Sequence, residues 1–273
     1  VTALTEQDFH RFRTLIYETA GISLTDNKRA MLIARLSRRL RALRVESYAS
    51  YLDRVERDRD ELAEMLDCVT TNETRFFREQ KQFDHLQNVL IPRLLGDAKE
   101  GRRERSLRAW SAGCATGEEP YSLAMALLDG LPDWEVAITA TDISTRVLEY
   151  AARAVWPVEK AAHIPERLLK RYMLRGRGSQ QGKMKAGPEI RGVVQFYRMN
   201  LNDAEYPIGG GFDLILCRNV LIYFDADSRR RTVERLLNRL TPSGRLFVGH
   251  AETLHGVTTR ARAVVPTIYA LVT

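Results

Sequence analysis

The sequence predicts an α/β fold in two parts: an all-α N-terminal domain, then a doubly wound domain with a parallel sheet and a small antiparallel β insertion. Three observations carry this. The first 85 or so of the 273 residues show helical periodicity with few glycines or prolines. Beyond the polar stretch Asp97–Arg108, short apolar runs alternate with helical segments. Where the first of those runs meets its helix lies a glycine turn, WSAGCATGEEPYSLAM, Trp110 to Met125. The expected organisation is a helical domain over 1–88, a linker over 89–106, and an α/β domain over 107–273 with an insertion at 156–196.

Within the helical part, Leu32, Leu36, Leu40 and Leu43 recur at steps of four, four and three and form one apolar stripe. Lys28 to Arg44 holds seven basic residues and no acidic one, and Arg35, Arg38 and Arg39 point away from the stripe. A solvated face and a docking surface both fit. The lack of acidic partners at i+4 favours docking at least equally. A net charge of +7 implies an acidic partner without naming it.

In the α/β part, strands are expected at Leu107–Ala112, Val136–Thr141, Phe212–Cys217, Arg245–Gly249 and Thr267–Val272. Helices are expected over about Glu118–Leu131 and from Ser144. Val155 to Phe196 breaks the rhythm, and its glycines and charges suggest the antiparallel insertion.

Composition narrows the setting. No run of eighteen apolar residues exists and Val1–His10 is polar, so neither a membrane span nor a signal peptide is expected. Cys68, Cys114 and Cys217 are odd in number and lack metal-ligand spacing, which reads as reduced thiols in a cytoplasmic protein without a metal.

In the glycine turn, Gly113 and Gly117 permit a tight turn and close ligand approach, and Pro120 suits the first helical turn. The helix opens with Glu118 and Glu119, which repel a phosphate but suit an ammonium and a sulfonium, as in S-adenosylmethionine. Helix-dipole complementation would explain the same pair. Asp142, ending the next strand in ATDIS, suits the two ribose hydroxyls, or it caps the following helix. Arg218 and Asn219 follow the apolar strand Phe212–Cys217 at its carboxyl end, where open α/β sheets bind ligands. His250 and Glu252 read as structural or loop-ordering.

Six segments in order, TTNETRFFRE (70–79), SAGCATGEEPYSLAM, ATDIS, MNL (199–201), CRNVLIYFD (217–225) and LFVGHAE (246–252), make the chain resemble the CheR family of chemotaxis receptor methyltransferases. The resemblance implies a Rossmann-like, S-adenosylmethionine-dependent methyltransferase that esterifies receptor glutamates and leaves S-adenosylhomocysteine. It also implies cofactor contacts from Asn72, Thr74, Arg78, Glu118, Asp142, Asn200, Leu201, Arg218 and Asn219. Arg78 and Tyr223 would line the methyl-transfer site, which would therefore lie between the two domains. Arg35, Arg38 and Arg39 would dock chemoreceptor cytoplasmic domains, and the insertion would take a receptor C-terminal peptide in some members. A monomer is expected, without nucleic acid or membrane insertion.

The chemistry needs no catalytic base. A glutamate with a pKa of about 4.3 is already an anionic nucleophile at neutral pH. Charge is lost as it attacks a sulfonium methyl, so the site should orient the carboxylate rather than clamp it. Two rivals remain. A nucleic-acid methyltransferase acting on base amino groups calls for Asn or Asp, then Pro-Pro and an aromatic, where this chain has RNVLIYF. A non-catalytic cofactor-binding adaptor would have lost one of Arg78, Asp142, Asn219 or Tyr223, and all four are present.

Overall fold

The computed structural model describes residues 3–272. Four helices open the chain: α1 (Glu6–Ala20), α2 (Arg29–Ala42), α3 (Tyr48–Arg57) and α4 (Arg59–Val69). Their starts are chemically marked. Thr5, Ser47 and Asp58 each accept a backbone N–H of the helix they precede, satisfying donors that the helix leaves free. Gly21, at φ +69°, ends α1. Phe9, Phe12 and Ile16 of α1 pack with Leu32, Leu36 and Leu40 of α2 and with Tyr51, Leu52 and Met65 in a core of their own, so the leucine stripe faces inward as its spacing predicts.

The next helical stretch corrects the expected boundary. Helices α5 (Gln80–His85) and α6 (Ile91–Lys99) run together through a π turn at Leu86–Leu90. Phe83, Leu86, Leu90 and Ile91, with Phe76 and Phe77 before them, join the core of the α/β domain. The helical domain therefore ends near residue 70 rather than 88, and most of the expected 89–106 linker is helix. Periodicity identifies an apolar stripe but not which core receives it.

The α/β domain continues with β1 (Ser106–Ala112), α7 (Glu118–Gly130), β2 (Glu135–Asp142), α8 (Thr145–Arg153), β3 (Val155–Pro157), α9 (Glu166–Tyr172), β4 (Met173–Arg175), β5 (Lys183–Ala186), α10 (Pro188–Gly192), β6 (Val194–Arg198), β7 (Phe212–Cys217), α11 (Ala226–Leu237), β8 (Leu240–Val248), β9 (Ala261–Val265) and β10 (Ile268–Leu271). The main sheet has the order β6-β2-β1-β7-β8-β10-β9, and the small one β3-β5-β4. From β6 to β8 all neighbours are parallel, whereas β10 runs antiparallel to both β8 and β9. The sheet is thus mixed, not wholly parallel. Strand order reverses between β1 and β7, and the crevice at their carboxyl ends is where such sheets bind ligands.

Two edge strands were not foreseen. β6 falls at the end of the expected insertion but pairs with β2 in the main sheet, so the antiparallel unit is confined to β3, β5 and β4. β9 is five residues long, has Arg262 within it and is fully buried at none of them, as befits an edge strand. Trp156 of β3 is wholly buried against Phe76 and Tyr121, and its Nε1 donates to the Thr116 carbonyl at 3.1 Å. The small sheet is therefore anchored on the glycine turn.

Candidate active site

The turn after β1 is built by left-handed backbone. Gly113 lies at φ +84° and Gly117 at +92°, a region glycine enters freely. Space forbids a larger residue as well: a Cβ on Gly113 would sit 2.5 Å from Val220 Cγ2, and one on Gly117 would sit 2.8 Å from the Ala151 Cβ. The N–H groups of Gly113 and Cys114 both donate to the Thr141 carbonyl, at 2.8 and 2.9 Å. Ala115 donates its N–H to Asp142 Oδ2 at 2.9 Å, and Ser144 donates its N–H to Oδ1 at 3.0 Å. Burial pushes the Asp142 carboxyl above the usual range, and those N–H groups offset only part of it. Ser144, not Asp142, caps α8.

The two glutamates that open α7 have different surroundings. Glu118 is fully buried outside the cleft. It pairs with Lys160 and accepts the Thr116 hydroxyl at 2.6 Å. Glu119 lines the cleft, accepting from Ser111 Oγ and from Arg218 Nε, each at 2.6 Å. Glu119, rather than the expected Glu118, therefore lines the cleft, because consecutive helical residues point about 100° apart.

Arg218 is almost wholly withdrawn from solvent. Besides Glu119 it reaches the Arg78 carbonyl at 2.6 Å and Gln82 Oε1 at 3.1 Å, and its guanidinium stacks over the Phe83 ring. It joins the carboxyl end of β7 to the start of α7 and to the segment between the domains. Asn219 follows at φ +60°, and its buried side-chain oxygen has no donor among the described residues.

The helical domain closes the other side. Asn72, Thr74, Arg78, Asp142, Asn200, Leu201, Arg218, Asn219 and Tyr223 all line one cleft of about 1190 Å³, open solvent included, together with Ala20, Lys28 and Met31 from the first two helices and the turn between them. Asn200 Nδ2 donates to the Thr19 carbonyl at 2.6 Å, and the Ser23 N–H donates to the Tyr223 carbonyl at 2.8 Å. These bonds tie α1 and its following turn across the cleft. No motif marks Lys28 or Met31, since only tertiary folding brings the start of α2 and the turn before it to the cleft.

Two family models divide the chain in the same way. "CheR methyltransferase, all-alpha domain" matches residues 7–70, and "CheR methyltransferase, SAM binding domain" matches 72–270. The chain belongs to the CheR methyltransferase family. It is 40% identical over 268 residues to Chemotaxis protein methyltransferase 2 of Pseudomonas aeruginosa, covering 97% of this chain and 93% of that one. It is also 38% identical over 275 residues to Chemotaxis protein methyltransferase of Escherichia coli, with 98% and 92% covered. The corresponding protein of Borreliella burgdorferi is 33% identical over 259 residues, with 93% and 90% covered.

The cleft of this CheR-family chain suits S-adenosylmethionine. The unpartnered Asn219 oxygen can take a donor from the ligand, and Glu119 and Asp142 give the lining acidic groups rather than a phosphate cradle. Among the described residues no cluster of His, Cys, Asp or Glu could hold a metal, the three cysteines are free, and no helix is long and apolar enough to cross a membrane.

Only part of the charge on the basic helix α2 is free of partners within the fold. Arg38 is exposed. Arg39 instead forms a two-bond pair with the buried Glu61, at 2.9 and 2.8 Å. Arg35 donates to the Val69 and Thr70 carbonyls and to the Thr71 hydroxyl. The acidic partners missing within helix α2 are supplied by α4, which local sequence spacing does not reveal.

Proposed function

We propose that this CheR-family chain transfers the methyl group of S-adenosylmethionine to glutamate side-chain carboxylates of chemoreceptor cytoplasmic domains, giving methyl esters. One observation carries the reading. Arg78, from the segment that follows the helical domain, and Tyr223, from the loop after β7, which the family resemblance assigns to methyl transfer, line the same cleft.

Once bound, S-adenosylmethionine supplies an electrophilic methyl group on a sulfonium. We assign Asp142 to the ribose hydroxyls, because its two oxygens sit at the carboxyl end of β2 and are engaged only by backbone N–H groups. Asn72, Thr74, Asn200, Leu201 and Asn219 shape and satisfy the rest of the donor site. Glu119 and Arg218 neutralise each other and hold the cleft floor. The Arg78 guanidinium donates once to the Glu73 carbonyl at 3.0 Å and keeps further N–H groups for a carboxylate. The Tyr223 hydroxyl has no partner among the described residues, which suits a group that borders the incoming side chain. Both orient the nucleophile and exclude water without supplying a base.

The docking role passes to the exposed Arg38 and Arg41 of α2 and Arg44 in the turn after it, whose charge would steer an acidic helical surface. In the small sheet, β4 is an edge strand carrying the exposed Leu174, which suits addition of a receptor peptide as a further strand.

The test is transfer of labelled methyl from S-adenosylmethionine to receptor cytoplasmic fragments. Base-labile label on glutamate is expected. Label on DNA or RNA instead would establish a nucleic-acid methyltransferase, and donor binding with no transfer would leave a non-catalytic adaptor.

A further inference from the structure

Beyond β8 the chain makes a tight turn that brings Glu252 back beneath the cleft loop. Glu252 is buried, and no cation pairs with it among the described residues. Its carboxylate is held entirely by backbone: Oε2 accepts the Asn219 N–H at 2.9 Å and the Gly249 N–H, and Oε1 accepts the Ile222 N–H at 3.1 Å. These donors lie on two elements, the end of β8 and the loop after β7. That loop carries five cleft-lining residues, Arg218, Asn219, Val220, Tyr223 and Phe224.

The arrangement leaves no spare room. A Cβ on Gly249 would stand 2.6 Å from Glu252 Oε2 and 2.7 Å from both Asn219 nitrogens. Asn219 is held at φ +60°, which asparagine tolerates better than most residues but does not prefer. A charge-assisted bond to its N–H is the contact that holds it there. A buried carboxylate is costly to keep, and burial pushes Glu252 above the ordinary range despite its N–H donors. A group this expensive, aimed wholly at one loop of the cleft, invites a functional reading.

We propose that Glu252 is a positioning residue for the methyl donor: its carboxylate fixes the Arg218–Tyr223 loop and, through the Asn219 backbone, sets the Asn219 amide that the bound donor meets. This rests on the donor site assigned above, and the test separates the two.

S-adenosylhomocysteine binding is measured by calorimetry on wild type, Glu252→Gln, Asn219→Ala and the double variant, with folding checked by circular dichroism. Glu252→Gln turns an NH2 toward backbone donors and is expected to weaken binding at least tenfold. Donor KM should rise in parallel while receptor-fragment KM holds. If Glu252 acts through Asn219, the double variant binds within about twofold of Asn219→Ala alone. Loss factors that multiply, or unaltered binding in Glu252→Gln, overturn the proposal. Glu252→Asp keeps the charge but shortens the reach, and gives a second cycle if the glutamine variant is unstable. Unfolding of both variants overturns the proposal in favour of a purely structural role. Wild-type protein that fails to bind would overturn the donor site itself.

Discussion

Arg39 meets Glu61 through two parallel bonds of 2.9 and 2.8 Å, from α2 to a carboxylate on α4 that is only 3% exposed. The Tyr51 hydroxyl adds a third bond to the same carboxylate at 2.8 Å. Burial pushes Glu61 up, but the bonds from Arg39 and Tyr51 and the charges of Arg39 and Arg54 outweigh it, leaving the group below the ordinary range. Two neighbouring arginines on one basic helix therefore have different work.

Arg39→Ala should destabilise the protein by about 2 kcal/mol, since a charged acceptor loses its partner, whereas Arg38→Ala should leave stability unchanged and slow receptor methylation. Thermal unfolding and a methylation assay on both variants check this. Because Glu61 is depressed in the folded state, its contribution is present above the unfolded carboxylate range and lost as pH falls through the folded value. The gap between wild type and Arg39→Ala should narrow on acidification.

Asp142 titrates with the opposite sign. Its pKa is raised, so its ionised form costs folding stability, and the protein without ligand gains from this group as pH falls through the folded value. Only the ionised form can accept from both ribose hydroxyls. S-adenosylhomocysteine affinity should therefore weaken on acidification at a pH above that of an ordinary aspartate near 3.9. Calorimetry across pH should show this step in wild type and not in Asp142→Asn, which should bind at least tenfold more weakly at neutral pH.

Lys160 reaches from the segment after β3 to the fully buried Glu118. Lys160→Met should cost about 2 kcal/mol in urea unfolding, by leaving a buried carboxylate one donor short. Adding Glu118→Gln should recover at least half of that loss. Full additivity of the two losses would show that the pair is not coupled.

Gly113→Ala should weaken donor binding at least tenfold, because the added methyl would collide with Val220 and the backbone sits at φ +84°. Val220→Ala in the same chain relieves the collision but not the backbone strain. Binding measured on the single and double variants should show partial recovery.

The sequence alone disclosed much of this protein because its decisive features are local. Gly113 and Gly117 lie at left-handed φ in the turn from β1 to α7, where backbone sterics favour glycine, Asp142 ends β2, and the leucine stripe of α2 follows helical period. The motif segments could be read in order without any fold. Tertiary structure alone decided which of two adjacent glutamates faces the cleft, because that depends on the rotation of α7 against β1. It alone paired Arg39 with Glu61, removing one expected docking charge, and sent Phe83, Leu86 and Leu90 into the second domain's core. It brought Lys28 and Met31 to the cleft and drew Glu252 beneath Asn219, thirty-three residues earlier in the chain. Periodicity fixes which face of an element is apolar, and long-range packing fixes what that face meets.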